Sequence, residues 1–314
     1  MRKLKNPFSW EIIFQEPLLN TFGRIRIFNL FYFLKIFIIF FPHFTNWDKL
    51  SHNDLNHLEQ LMMEINNKME RDKKLVRRFV VVEGVYCNYG TICRLREVVA
   101  LAKQYHFRII LDDTIGLGLL GETGRGVVEH FGLKISDIHI FTADIQLGLG
   151  SLGGVCCGDK DMVTFQRLNG SGYMYSASNP PFLASCATAA FDYIDNNPSI
   201  LKEIRSRAKR IHQIAADIPG VEPLADFDEC PYVCIKLAEN RKPEDKFEEI
   251  KILQEVVDYA AANGVAISVV RSLKKERTPP PPHIRLTVSV NHTPQQLDTV
   301  EKVLREAFAK VLSY

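Results

Sequence analysis

The chain has 314 residues, of which 46% are hydrophobic and 24% are charged, an ordinary composition for a folded protein of one large or two medium domains. A formal net charge of +2, without a basic-aromatic array, gives it no general affinity for nucleic acid. Seven scattered cysteines form no C-x-x-C pair, and their odd number argues against a disulfide framework and favours a reduced compartment. Cys230 and Cys234 lack a second ligand pair, so we expect core or surface thiols rather than a metal site.

Residues 1–48 differ in character from the rest of the chain. Within them, the segment 27–41 is apolar on every side, which is unlike an amphipathic surface helix. It is shorter than the roughly 20 residues of a membrane span, and Lys35 lies inside it. No small-residue cleavage site of a secretory signal follows. Two interpretations stay open for this segment, namely membrane association and an incomplete core element.

The region 49–181 has the pattern of an α/β domain. Strands alternate with helices, which predicts a mostly parallel sheet covered on both faces, with a last strand that returns antiparallel. The predicted helices are 55–69 and 95–105, and the predicted strands are 79–82, 108–111, 138–142 and 153–157.

The region 182–314 has the pattern of a smaller α+β domain. Thr293 is a good N-cap for the last helix, because its hydroxyl can accept an amide proton of the first turn. The run 278–282 reads as a stiff polyproline linker. The predicted helices are 182–194, 200–216, 247–263 and 293–312, and the predicted strands are 232–236, 265–269 and 284–290.

The most informative motif is the run LDDTIGLGLLGETGRG at 111–126, directly after a buried strand. Enzymes of the α/β class place chemistry at the carboxyl ends of parallel strands, where Asp112 lies. The run resembles the D-E-A-H-S-x-G-x-x-G-x-x-G-R-G segment of the pyridoxal-phosphate (PLP) α-oxoamine synthases. The resemblance implies the PLP fold-type I, or aspartate-aminotransferase-like, fold, with a partial large domain at 49–181 and a complete small domain at 182–314.

In that family the aspartate of the motif pairs with the pyridine nitrogen of PLP, which makes Asp112 a candidate cofactor-binding residue. The alternative is structural, since a carboxylate at a strand end often caps a helix. The glycines are expected to supply backbone conformations that other residues disfavour, and Arg125 to make either a structural ion pair or a ligand contact. These glycines are Gly118, Gly121, Gly124 and Gly126.

Other family contacts are replaced in this chain. The resemblance places Leu147 where the family has the lysine that forms the Schiff base with PLP, so we expect no catalytic residue in this chain. Asp144 stands where a threonine contacts the phosphate, and a carboxylate there is repulsive. Ile115 and Cys87 stand where the family has a histidine and a serine. Together these changes fit a site that has lost its chemistry while its scaffold remains.

Two further motifs extend the resemblance into the rest of the chain. The segment YMYSASNPP at 173–181 is similar to the family's F-S-x-x-x-P-P motif, which reaches the neighbouring subunit's PLP phosphate. Ser176 and Ser178 are therefore candidate cofactor-binding residues, and helix capping is the open alternative. Arg285 matches the family arginine that holds the substrate carboxylate, a role suited to its bidentate fork.

Within the family, the lysine-less pattern is similar to the non-catalytic long-chain-base subunits of serine palmitoyltransferase, from His52 to the C-terminus. The resemblance implies a complex that condenses L-serine with palmitoyl-CoA to 3-ketodihydrosphinganine for sphingolipid synthesis. PLP would be bound by the catalytic long-chain-base subunit or shared at the interface. The complex would lie on the endoplasmic reticulum membrane with its catalytic face in the cytosol.

The first 48 residues do not resemble the front of that family, where a membrane segment and much of the large domain are found. We therefore expect a truncated, alternatively spliced or imperfectly predicted product of marginal stability, because a sheet lacking strands exposes its edges. Two rival functions stay open. One is an independently active α-oxoamine synthase, such as a 5-aminolevulinate or 8-amino-7-oxononanoate enzyme. The other is a non-enzymatic regulator of the catalytic subunit.

Overall fold

The computed structural model describes residues 51–73, 78–169, 174–175, 179–270 and 279–312. The predicted N-terminal segment 1–48, with its apolar stretch 27–41, lies outside these residues. Within the described part of the chain, no helix combines the length and the apolar character that crossing a membrane requires. The described residues divide into a first unit, within 51–84 and 93–196, and a second unit, within 85–92 and 197–312.

The division between the units differs from the boundary expected after residue 181. The helix Pro181–Asn196 belongs to the first unit, where the Ser151 hydroxyl donates to the Leu183 carbonyl at 2.8 Å. The short segment 85–92 belongs to the second unit although it follows a strand of the first. Both differences arise from tertiary packing, which local sequence pattern does not encode.

The first unit is built on a four-stranded sheet in the order β1-β2-β3-β4. The first three strands are parallel and β4 is antiparallel to β3, as predicted. Its strands are β1 (Phe79–Glu83), β2 (Arg108–Asp112), β3 (Ile140–Asp144) and β4 (Gly154–Gly158). Its helices are α1 (Leu55–Asp72), α2 (Leu95–Tyr105), α3 (Val127–His130), α4 (Gln146–Leu149), α5 (Lys160–Asn169) and α6 (Pro181–Asn196).

The two central strands carry the core of the first unit. Residues 109–111 of β2 and 140–143 of β3 are buried on both faces, as expected for parallel strands with near-continuous apolar sequences. Helix α2 turns Val98, Val99 and Ala102 inward. Helix α5 was not predicted, because only Val163 of its described side chains is fully buried and its apolar period is weak.

The second unit is an antiparallel sheet in the order β5-β6-β8-β7 with three long helices. Its strands are β5 (Val221–Pro223), β6 (Tyr232–Leu237), β7 (Ser268–Val269) and β8 (Ile284–Thr287), and its helices are α7 (Ser199–Asp217), α8 (Lys246–Ala262) and α9 (Pro294–Val311). Thr293 caps α9 in a capping box with Gln296, which confirms the predicted N-cap.

Two strands of the second unit are shorter than predicted, and β5 was missed. The strand expected at 284–290 ends at Thr287, because the carbonyls of Ser289 and Val290 accept from the Arg207 guanidinium rather than from a neighbouring strand. The strand expected at 265–269 is reduced to β7. The missed strand β5 has three residues, too few for a period-two pattern.

Candidate functional site

Carboxylates gather where the parallel strands of the first unit end. Glu83, Asp112 and Asp144 are the last residues of β1, β2 and β3, and Glu83 pairs in register with Asp112. We call these three residues the acidic edge. Parallel strands bring their carboxyl ends to one side of a sheet, which is where α/β proteins bind ligands. The motif at 111–126 therefore lies at the position that its sequence context predicts.

Thr114 joins two members of the acidic edge. Its backbone amide donates to Asp112 Oδ1 at 2.9 Å, and its hydroxyl oxygen accepts from the Asp144 amide at 2.9 Å. The Thr142 hydroxyl lies 3.4 Å from Asp112 Oδ2. Burial raises the pKa of Asp112, with a smaller contribution from the nearby Asp144 carboxylate, and burial also raises the pKa of Asp144. The hydrogen bonds from Thr114 and Thr142 act in the opposite direction and lower the pKa of Asp112.

Sequence reasoning did not single out Asp113, the most buried polar residue of this region. Its side chain is fully buried, and Oδ2 accepts from the Val127 amide at the start of α3 at 2.7 Å. Successive residues of a strand point to opposite faces, so the second aspartate of a doublet at a strand end turns away from the first. The Asp112–Asp113 doublet in the sequence could therefore have indicated the buried Asp113 side chain.

The predicted positive φ angles of the glycine loop are confirmed at all four predicted positions: Gly118, Gly121, Gly124 and Gly126. The Glu129 carboxylate holds the loop by accepting from the amides of Thr123 and Arg125. The Arg125 guanidinium lies 3.5 Å from Asp195, which is the structural ion pair among the two expected alternatives. The loop is therefore shaped by contacts within the first unit.

Leu147 lies on the short helix α4 with 45% of its surface exposed. The Asp144 carboxylate accepts from the Gln146 amide at 2.6 Å, and so occupies the turn that leads to Leu147. A leucine offers no amine and a carboxylate repels a phosphate. For these two reasons, the residues of this turn do not fit a covalently held PLP.

The second unit holds the other pair of predicted site residues. Arg285 on β8 lies with Nη1 3.5 Å from the Cys87 sulfur, and its guanidinium carbon is 5.6 Å from the centre of the Tyr232 ring. The structure thus brings together two positions that the resemblance assigns to ligand contacts. Cys230 and Cys234 are fully buried, and burial raises the pKa of each thiol to about 12. Both are core thiols, one of the two predicted alternatives.

The remaining predicted residues, Ser176 and Ser178, lie outside the described residues, so their assignment stays a prediction. Asp112 lies at the acidic edge with both carboxyl oxygens engaged, Leu147 lies one turn beyond Asp144, and Arg285 belongs to the second unit. In the described part of the chain, no group of three or more histidine, cysteine or carboxylate side chains has the arrangement of a metal site.

Comparison with known proteins identifies the scaffold. The family model for aminotransferase class I and II matches residues 42–304. The chain belongs to this family. It is 32% identical over 266 residues to serine palmitoyltransferase 1 of Dictyostelium discoideum and 37% identical over 262 residues to long chain base biosynthesis protein 1b of Oryza sativa subsp. japonica. These matches cover 83% of this chain but 55% and 54% of the relatives, so the chain spans about half their length. The predicted resemblance is confirmed.

Solved structures confirm the predicted fold-type I architecture. A serine palmitoyltransferase from S. paucimobilis, determined with a bound PLP–myriocin aldimine, superimposes with a TM-score of 0.70 at 23% identity. The match covers 84% of this chain and 61% of that structure. At this identity the likeness establishes the fold, a mostly parallel sheet followed by a smaller α+β unit.

Proposed function

We propose that this chain acts as a non-catalytic subunit of a serine palmitoyltransferase, in a complex that condenses L-serine with palmitoyl-CoA to 3-ketodihydrosphinganine. The complex is an acyltransferase of sphingolipid synthesis, and this chain alone is inactive. The observation that carries the proposal is the α4 turn. Leu147 stands at the predicted lysine position, and the Asp144 carboxylate caps the same turn in place of a phosphate-binding hydroxyl.

The chemistry of the complex belongs to its partner. PLP supplies the electron sink for decarboxylative condensation, and the catalytic long-chain-base subunit provides the lysine that holds it. The contributions proposed for this chain are three, and the first is that Asp112 lends its acidic-edge carboxylate to the shared cofactor site. Ser176 and Ser178 donate hydroxyls toward the shared cofactor, and Arg285 offers its guanidinium to the L-serine carboxylate. The present contacts of Arg285, a thiol and an aromatic face, are weak enough for a carboxylate to displace them.

The location of the complex follows from the same proposal. We place it at the endoplasmic reticulum membrane with its catalytic face in the cytosol. The support is the apolar sequence at 27–41 and the chemistry of palmitoyl-CoA, an acyl donor with a long apolar chain. Seven cysteines without a disulfide pattern agree with a reducing cytosolic face.

Affinity capture tests the proposal directly. The tagged full chain is co-expressed with a catalytic long-chain-base subunit, captured, and assayed for 3-ketodihydrosphinganine formed from labelled L-serine and palmitoyl-CoA. We expect the catalytic subunit to be captured together with activity, and no activity from the chain purified alone. A matched control chain carries Lys302→Ala, a change at an exposed position of α9 that belongs to none of the proposed sites.

Three outcomes would contradict the proposal. Capture with reduced activity relative to the catalytic subunit alone would indicate the regulator. A PLP absorbance band in the chain purified alone would indicate an independently active α-oxoamine synthase. Borohydride reduction should then remove the band and leave the cofactor attached to the chain. Failure to capture the catalytic subunit at all would remove the partner from the proposal.

A further inference from the structure

Asp113 has the environment of a neutral acid. It is fully buried, and Oδ2 accepts one hydrogen bond from the Val127 amide. The Gly116 amide also interacts with the carboxyl group, although among the described residues no donor meets Oδ1 with full hydrogen-bond geometry. The ionisable group that acts on it is another acid, Asp112, the last residue of β2. An ionised carboxylate left unpaired in such a place would carry a large desolvation cost.

Three glycines enclose the Asp113 carboxyl group, and we call Gly84, Gly116 and Gly126 the glycine cage. A Cβ atom would lie 2.3 Å from Oδ1 at Gly84, 2.0 Å from Oδ1 at Gly116 and 1.9 Å from Oδ2 at Gly126. Gly84 and Gly116 have φ angles outside the left-handed region, so their backbone conformation does not require glycine. At Gly116 glycine is required by the space that the carboxyl group fills, and at Gly84 by the carboxyl group together with the Val127 side chain.

The caged side chain also fixes the turn that carries the acidic edge. The Asp113 amide donates to the Thr142 carbonyl at 2.8 Å, and its carbonyl accepts from the Leu117 amide at 2.9 Å. Thr114, the next residue, is the link between Asp112 and Asp144. A displaced Asp113 would therefore move Thr114 and release the Asp112 carboxylate and the Asp144 amide.

We propose that Asp113, as a protonated acid seated in the glycine cage, is the positioning residue of the acidic edge and acts through Thr114. Burial, together with the neighbouring Asp112 carboxylate, raises the pKa of Asp113 to about 8, in agreement with the geometry. Asparagine has the shape and neutrality of the protonated acid. The inference rests on the proposed function only for its activity measurement, since unfolding can be measured without a partner.

The first test is a rescue cycle in the full chain. Gly116→Ala is expected to lower the unfolding midpoint by roughly 4–10 °C, the shift of an overpacked core in a chain of this size. The three nearest atoms that a Cβ at Gly116 meets all belong to the Asp113 carboxyl group. In the Asp113→Ala background, Gly116→Ala should therefore cost nothing or restore stability by filling the vacated space. Additive losses in the double variant would overturn the proposal.

The second test is the pH dependence of unfolding for Asp113→Asn. Because the folded-state pKa is raised above the unfolded value, the wild-type chain loses stability as pH rises between about 4 and 8, whereas the asparagine chain does not. The two midpoints should agree near pH 4, and the variant should exceed the wild type by several degrees at pH 8.5. A difference that does not change with pH would contradict the protonated acid.

The third test uses the captured complex. Asp113→Asn should retain activity and Asp113→Ala should lose at least about tenfold, as expected when the conservative variant rescues positioning. The double variant Asp112→Asn with Asp113→Ala should be no less active than Asp112→Asn alone, because Asp113 acts through the edge. If the activity losses of Asp112→Asn and Asp113→Ala multiply in the double variant, the positioning role is contradicted. An inactive wild-type complex would refute the proposed function and leave the two unfolding tests decisive for Asp113.

Discussion

The acidic edge of the first unit and the arginine cluster of the second unit, formed by Arg285, Cys87 and Tyr232, show two different outcomes of one family pattern. The edge keeps the glycines and strand ends, but Thr114 now links the Asp112 carboxylate to the backbone amide of Asp144. The arginine cluster keeps a cation whose partners are a thiol and an aromatic ring. Backbone-dependent features thus persist in the first unit where side-chain chemistry has changed, whereas the second unit retains a group able to bind a carboxylate.

The largest expected effect is the difference in thiol reactivity between the buried cysteine pair of the second unit and an exposed cysteine of the first. Cys230 and Cys234 of the second unit are fully buried, and Cys234 lies on β6. Cys186 on α6 of the first unit is exposed. We expect alkylation of the buried pair at pH 8 to be roughly 10³-fold slower than that of Cys186, because burial suppresses the thiolate and access requires local opening. Mass spectrometry of partly alkylated peptides measures the ratio, and comparable rates would mean that the second unit is loosely packed.

A close backbone approach should make the first unit intolerant of one added methyl group. A Cβ at Gly148 would lie 2.0 Å from the Leu117 carbonyl oxygen, so Gly148→Ala should lower the free energy of unfolding by about 3 kcal/mol. Gly150, two residues later in the chain, has φ +63 and open space around it. Gly150→Ala is therefore the matched control, with a cost of about 1 kcal/mol for its left-handed backbone. Equal losses in urea titrations would indicate that the glycine loop does not pack against α4.

The arginine cluster should show its effect in binding rather than in stability. In the captured complex, Arg285→Lys keeps the charge but loses the bidentate fork, so KM for L-serine should rise about tenfold with kcat nearly unchanged. Thermal unfolding of the variant chain controls for folding. An unchanged KM would remove Arg285 from substrate binding and leave it a structural neighbour of Cys87 and Tyr232.

The smallest effect concerns the link within the acidic edge. Thr114→Val removes the hydroxyl that accepts from the Asp144 amide and should cost about 1 kcal/mol of unfolding free energy. Thr114→Ser keeps the hydroxyl and should stay within about 0.5 kcal/mol of the wild type. If Thr114→Ser is destabilising and Thr114→Val is not, the methyl group of Thr114 rather than its hydrogen bond stabilises the edge.

Local pattern predicted most of the fold correctly. The helix at 95–105 has the predicted bounds, and the antiparallel return of β4 and the N-cap at Thr293 are confirmed. Periodicity and capping are properties of neighbouring residues, so they can be read along the chain. Helix α5 was missed because its few buried side chains leave little periodic signal. The end of β8 was missed because the Arg207 guanidinium, about 80 residues earlier in the chain, donates to the Val290 carbonyl just beyond the strand.

The sequence by itself determined the family, the α/β and α+β order of the elements and the positions that carry Asp112, Leu147 and Arg285, because motifs and periods are local. Tertiary structure decided that Pro181–Asn196 packs with the first unit, that Thr114 joins two strand ends and that Asp113 fills the glycine cage. These facts depend on residues of different elements, up to about 30 positions apart, meeting in space. Such contacts arise only when strands pair in register and buried groups compete for the same volume.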